Sequence, residues 1–334
     1  MTNSGSPSTP DGRPVAVVGC GVIGSAWAAR FRLAGHDVRA VDPSAGAADV
    51  LAGVFDRAND AWSALGVVVD RPGAIEVCDS IAEAVAGARH VQESVPEQLD
   101  LKHETLAAIE ASCPTDAAIA SSTSGFTPTV LARRLAHPER LIVAHPFNPV
   151  YLLPLVEVVG GERTSAEVVR CAIELYTSLG MKPVNVRVEI DAFIADRLLE
   201  AVWREALWLV KDGIATTEEI DDAIRYGFGL RWAQMGLFET YRTAGGANGM
   251  RHFLAQFGPA LEWPWSRLTD VPEWTDELVE TIATQSDQQS GDRTIDELLD
   301  ERDRNLVAIL RALEGVDAGA GRTLAEFRAS RTTH

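Results

Sequence analysis

The 334-residue sequence predicts an α/β protein: a doubly wound sheet followed by an all-α C-terminal domain. Three observations carry that expectation. Apolar, strand-like runs alternate with helical stretches from Val15 to Val186. A glycine-rich turn joins the first run to the first helix. Beyond Asp191 the pattern becomes helix after helix, and six of the eight tryptophans lie on that side.

Taken in order, residues 1–12 are small and polar and read as a disordered tail. They lack the basic start and apolar core of a secretory signal, so the cytoplasm is the default compartment. Arg13 to Asp42 reads as a β-α-β unit. Its strand Val15–Val18 leads to the turn Gly19-Cys20-Gly21-Val22-Ile23-Gly24, a helix from about Ile23 to Ala34 stopped by Gly35, and a strand Val38–Val41. Each part has a physical reason. Gly19 permits the tight turn, Gly21 lets the backbone approach a pyrophosphate, Gly24 allows close helix packing, and the helix N-terminus attracts the anion. Asp42 ends the second strand, where a carboxylate accepts from both ribose hydroxyls and repels a 2′-phosphate. Strand, turn, helix and acid together indicate a Rossmann-type site for NAD rather than NADP.

The alternation continues with a helix over 46–65, a strand near 89–92, a helix over 99–111 and a strand over 117–120. Strands then precede His145 and carry Glu157, followed by a helix over 165–179 and a strand near 183–186. Leu199, Val202, Trp203, Ala206 and Val210 recur at helical spacing within 193–211. The domain boundary is therefore expected near 188, with residues 13–188 binding NAD and 189–315 forming a second, helical domain. A helix over 295–313 is followed by a frayed tail, 316–334.

Composition excludes several classes. A net charge of −18 with no basic stripe repels nucleic acid and anionic membrane surfaces, and no apolar run approaches membrane-spanning length. Cys20, Cys78, Cys113 and Cys171 show no Cys-x-x-Cys spacing, which argues against a zinc site or a disulfide framework; buried thiols are expected.

The chemistry centres on Ala144-His145-Pro146-Phe147-Asn148-Pro149. An apolar run delivers His145 at its end, and a second brings Glu157 back alongside. An imidazole beside a carboxylate gains basicity and a fixed tautomer. A histidine and a glutamate that merely share a hydrogen bond at strand ends is the plainer alternative.

Five motifs in order decide between them: Gly19 to Gly24 with Asp42; Glu93-Ser94-Val95-Pro96-Glu97 with Lys102; Ser121-Ser122-Thr123-Ser124; His145 to Pro149 with Glu157; and Ile194-Ala195-Asp196-Arg197-Leu198. The chain in this respect resembles the 3-hydroxyacyl-CoA dehydrogenase family from Val15 to about Leu313. The resemblance implies that His145 is the general base, that Glu157 stabilises its imidazolium, and that Ser124 hydrogen-bonds the reacting oxygen. It also implies that Glu97, Lys102 and Asn148 contact the cofactor. Taken without the resemblance, Ser124 reads as a turn or capping residue and Lys102 as a solvated helix charge.

Two departures bear on the substrate. Asp196 stands where the family has asparagine, and residues 44–71 offer only Arg57 and Arg71 among several acids, a poor fit for coenzyme A. Gly229-Leu230-Arg231-Trp232-Ala233 is similar to the branch that oxidises small free hydroxy acids such as L-gulonate. The stretches 203–208, 235–241 and 256–265 resemble a subgroup whose zwitterionic substrate carries a trimethylammonium. Such a cation has no N–H donors and is held by aromatic faces and negative charge. Trp232, Phe238 and Tyr241 are candidates for that surface, Asp196 for the counter-charge and Arg231 for the substrate carboxylate. Each aromatic is equally at home in a core. The resemblance further implies a homodimer and assigns substrate binding and dimerisation to the helical domain, 189–315. Another small 3-hydroxy acid as substrate, or a non-catalytic NAD-binding structural protein, remain alternatives at this point.

Overall fold

A computed structural model of the chain describes residues 12–244, 249–257 and 294–332, with scattered positions between 266 and 292. The residues group into two compact units. One comprises those up to Ile194 together with 303–314 and those from Ala320 on; the other comprises 195–302 and 315–319.

The first unit contains an eight-stranded sheet. Its strands are β1 Val15–Val18, β2 Val38–Val41, β3 Ile75–Val77, β4 His90–Glu93, β5 Ala118–Ser121, β6 Leu141–Pro146, β7 Leu155–Gly160 and β8 Lys182–Val186. Their spatial order is β3-β2-β1-β4-β5-β6-β7-β8, and every pairing is parallel except β6 with β7. Apolar residues run without polar alternation in β1 because both faces are covered. Val15 and Val17 enter a core with Trp27 and Phe31, whereas Ala16 and Val18 enter another with Leu106 and Ile109. The first pair of helical residues lies on α1 (Val22–Leu33) and the second on α4 (Leu99–Ser112), the helices wound on opposite faces.

β1, β2, β4 and β5 point the same way, so Gly19, Asp42, Ser94 and Ser122 all follow their C-terminal ends, the edge at which open α/β sheets bind ligands. Arg30 of α1 is buried and donates to the carbonyls of Val150 at 2.7 Å, Gly180 at 2.8 Å and Leu179 at 3.2 Å. It ties α1 to the turn that follows β6. Burial pulls its pKa down to about 9.

Several short elements escape the sequence pattern: β3, α3 (Ile81–Val85) and α5 (Pro128–Leu131), of three to five residues each. Between α1 and α4 lies α2, Ala47–Ala64, and α6 is Ala166–Ser178. The expected tail 316–334 requires correction, because Gly319–Thr332 is a helix whose residues from Ala320 on belong to the first unit. Phe327 packs edge-on to Trp62 at 5.2 Å, and Arg331 donates to the carbonyl of Val68 at 2.8 Å. Gly180, at φ +71°, makes room for it, since a Cβ there would stand 2.5 Å from the Phe327 ring. Asp303, in the preceding helix Ile295–Glu314, accepts from the Tyr151 hydroxyl at 2.5 Å. The sequence boundary near 188 moves to 194 because residues 188–194 pack with the first unit. Cys171 is exposed rather than buried.

The second unit contains α7 (Ala195–Lys211), α8 (Thr217–Ala223), α9 (Gly229–Ala244) and α10 (Gly249–Phe257). A capping box between Thr216 and Glu219 starts α8. Gly236, at φ +71°, interrupts α9. The 258–265 part of the tryptophan-rich stretch and residues 1–11 lie outside the described residues. Among the described residues no helix is long and apolar enough to cross a membrane.

Candidate active site

A cavity of about 920 Å³ opens at the C-terminal edge of the sheet and runs from the glycine turn and Asp42 to Ser124 and His145. At its first end, α1 begins at Val22 with Gly21 as its cap, so the helix's unpaired N–H groups face the space. A Cβ on Gly19 would meet the Ser94 backbone at 2.8 Å and one on Gly24 would meet the Gly19 carbonyl oxygen at 1.8 Å. Gly21 has open space where its Cβ would stand. The turn thus lets a pyrophosphate approach the backbone. Asp42 is held by the N–H groups of Cys20 at 2.7 Å and Ser44 at 2.8 Å, which fixes its carboxylate at the strand end. The residues present therefore fit a dinucleotide.

Gly19, Gly21, Val22, Ile23, Asp42, Glu97 and Lys102 line the cavity; Cys20, Gly24 and Asn148 do not. Cys20 turns inward, and burial with the neighbouring Asp42 charge pushes its thiol up to about 12, leaving it unreactive. Asn148 is exposed in the turn after β6.

At the other end, the antiparallel register sets His145 directly opposite Glu157, so both side chains leave the sheet on one face. His145 Nδ1 lies 3.0 Å from Glu157 Oε2, and the other carboxylate oxygen accepts the Ile194 N–H at 2.9 Å. Both residues are buried, at 5% and 1% exposure. His145 still lines the cavity, whereas Glu157 stands behind it. Ser124 is exposed to the same cavity.

Lys102 is neither a solvated charge nor a simple cavity wall. Only 1% exposed, it donates to Glu93 Oε1 at 2.9 Å and to the Val95 carbonyl at 3.0 Å, and lies 3.4 Å from Glu97 Oε2. Glu93, fully buried at the end of β4, also accepts from the Val95 N–H at 2.7 Å and the Ser121 hydroxyl at 2.5 Å. Glu97 in turn accepts from the Thr123 hydroxyl and the Gly125 N–H, on either side of Ser124. Sequence reasoning assigned no role to Glu93 or Thr123. No apolar run marks its strand, His90-Val91-Gln92-Glu93, as buried, so the sequence carried no clear signal for Glu93.

In the second unit, Asp196 lies in the first turn of α7, and Arg231, Trp232, Phe238 and Tyr241 lie on α9. Trp232 packs on Phe228 at 4.5 Å and Tyr241 stacks on Phe253 at 4.6 Å, while Phe238 is 75% exposed. Among the described residues no ring contact joins Trp232, Phe238 and Tyr241 to one another.

A parallel sheet with a glycine turn, a strand-end acid and a histidine–glutamate pair at the far end of one cavity defines an NAD-binding α/β protein. Family models agree: residues 14–190 match the 3-hydroxyacyl-CoA dehydrogenase NAD-binding domain and 193–291 its C-terminal domain. The chain belongs to the 3-hydroxyacyl-CoA dehydrogenase family. It is 61% identical over 93% of its length to an L-carnitine dehydrogenase/betainyl-CoA thioesterase of Agrobacterium fabrum, of which it spans 63%. It is 53% identical to an L-carnitine dehydrogenase of Pseudomonas aeruginosa, with 93% of this chain and 97% of that one covered. Among solved structures, an NAD-dependent 5-formyl-3-hydroxy-2-methylpyridine 4-carboxylic acid 5-dehydrogenase superposes with a TM-score of 0.78 at 31% identity, covering 91% and 99% of the two chains.

Proposed function

We propose that the chain is an NAD-dependent dehydrogenase that oxidises the C3 hydroxyl of L-carnitine to 3-dehydrocarnitine. The observation that carries the reaction class is the buried His145–Glu157 pair opening onto the cavity that begins at the glycine turn. The substrate is carried by similarity to L-carnitine dehydrogenases.

In this reading Glu157 holds Nδ1, so Nε2 is the nitrogen that takes the hydroxyl proton. Glu157 stabilises the imidazolium that forms, and Ser124 donates to the oxygen as it becomes a carbonyl. Bound NAD supplies the acceptor for the hydride that leaves C3. Gly19 to Gly24 and Asp42 hold the cofactor's pyrophosphate and ribose, with Glu97, Lys102 and Asn148 assigned to the cofactor or its nicotinamide end. Asp196, Trp232, Phe238 and Tyr241 are the groups assigned to the trimethylammonium, and Arg231 to the carboxylate.

A homodimer in the cytoplasm belongs to the same reading. Leu198, Leu199 and Trp203 of α7, each about half exposed, support a helical dimer surface.

The test is NADH formation, followed by its absorbance, with L-carnitine, D-carnitine, L-gulonate and 3-hydroxybutyrate. Turnover of L-carnitine at the highest kcat/KM is expected. Preference for L-gulonate would select another hydroxy-acid dehydrogenase, and no turnover of any substrate by folded, NAD-binding protein would select a structural role.

A further inference from the structure

Two adjacent residues at the end of the first unit each touch one member of the His145–Glu157 pair. Phe193 is fully buried, and its ring centroid lies 5.6 Å from that of His145 at an interplanar angle of 45°. The N–H of the next residue, Ile194, supplies the 2.9 Å hydrogen bond to Glu157 Oε1. A role in core packing alone explains the burial of Phe193. It does not explain why the following amide is turned onto a buried carboxylate.

The backbone supplies the link. Ala192 at φ +58° and Phe193 at φ +50° are consecutive left-handed residues that both carry a Cβ; among the described residues only Asp317 is another non-glycine case. Left-handed backbone is unfavourable for such residues and persists where surrounding contacts impose it. Here it presents the ring of one residue and the amide of the next to the same pair. The donated N–H fixes the orientation of the carboxylate, and the ring restricts the plane of the imidazole.

We propose that the left-handed pair Ala192–Phe193 is a positioning device for the catalytic base, orienting His145 through the Phe193 ring and fixing the Glu157 carboxylate against it through the Ile194 N–H. The proposal rests on the reading of His145 as the base. Phe193 and Ile194 are positioning residues, since neither is required to touch substrate or cofactor.

Three variants test it. Ala192→Pro locks φ near −65° and denies the left-handed turn, Ala192→Gly permits that turn without a Cβ, and Phe193→Leu keeps apolar volume without the ring. Each is measured for NAD affinity by calorimetry, for kcat with L-carnitine, and for the imidazole Nδ1–H proton resonance in ¹⁵N-histidine-labelled protein, assigned by its loss in His145→Ala. Ala192→Pro and Phe193→Leu are expected to bind NAD within about twofold of the parent, lose about tenfold or more in kcat, and shift or broaden the Nδ1–H signal. Ala192→Gly should keep parental values in all three. Unchanged kcat and an unchanged resonance in Phe193→Leu would overturn the proposal, as would a parallel fall of NAD affinity and kcat. Should Ala192→Pro fail to fold, Phe193→Leu decides. If the parent does not turn over L-carnitine, the functional reading fails, while the resonance, read without substrate, still tests the device.

Discussion

Replacing Lys102 by methionine separates a structural ion pair from a cofactor contact. The ammonium has three N–H donors, and two are spent on Glu93 Oε1 and the Val95 carbonyl, with Glu97 Oε2 the nearest further acceptor at 3.4 Å. Lys102→Met leaves Glu93, at 0% exposure, with the Val95 N–H and the Ser121 hydroxyl as its hydrogen-bond donors among the described residues. Removing one partner of a buried pair costs about 3–5 kcal/mol, because the orphaned charge keeps its desolvation penalty. At a urea m-value of about 2–3 kcal/mol/M the midpoint of NAD-free protein should fall by roughly 1–2 M. Adding Glu93→Gln should recover part of that loss, since a neutral amide costs less to bury than an unpaired carboxylate. An unchanged midpoint combined with weakened NAD binding would refute the reasoning and make Lys102 a cofactor contact alone.

Other outcomes follow from the same geometry. His145→Ala should bind NAD as the parent does yet lose about a hundredfold to ten-thousandfold in kcat; equal losses in both would mark a structural histidine. Burial first, then the Arg89 and Arg331 charges, pulls His36 down to about 4, and burial does the same for His90. Unfolded histidines titrate near 6.5, so the unfolded chain binds more protons between pH 6.5 and 4. Stability is therefore full above that window and falls as pH falls through it, by about 2 kcal/mol per histidine from pH 7 to 5. Urea midpoints of the NAD-free protein against pH read this, and parent-like acid sensitivity in a His36→Gln, His90→Gln double variant would contradict it. Phe327→Ala should cost about 3–5 kcal/mol by opening a cavity against Trp62 and Gly180. A loss below 1 kcal/mol would return the C-terminal helix to the status of a tail.

The first half of the chain was legible because its constraints are local. A strand, a glycine turn and a helix start must be contiguous to hold a pyrophosphate, and strands buried on both faces announce themselves as apolar runs. The three residues of β3 and the five of α3 are too short to show a period. Gly319–Thr332 was misread because glycines at 315, 319 and 321 resemble a linker, and its burial rests on a few residues such as Leu324 and Phe327 against distant Trp62. His145 and Glu157 were legible as a pair, because opposed strands fix their register. The Phe193 and Ile194 contacts to that pair were not, since nothing in Ala192-Phe193 signals positive φ. Taken without the resemblance, Lys102 reads as a solvated charge for a related reason. Only the packing of α4 shows that it faces Glu93 rather than solvent.

The proposed reading assigns recognition of the trimethylammonium to Asp196, Trp232, Phe238 and Tyr241, and the charge of that group offers a way to test them singly. Trp232 already packs on Phe228, so only the rest of its ring surface is available to a cation, and it is 36% exposed. A cation over an aromatic face gains about 0.5–2 kcal/mol. Trp232→Leu should therefore raise the KM for L-carnitine roughly 2- to 30-fold, while the parental KM should be kept for any 3-hydroxy acid without the cation that the NADH assay finds to be turned over. The contrast matters more than either value. A core tryptophan whose loss loosens α9 would raise both constants together, whereas a face that reads positive charge affects only the charged substrate. A parallel rise would remove Trp232 from the substrate site and shift the assignment to Phe238, which at 75% exposure has more open ring surface.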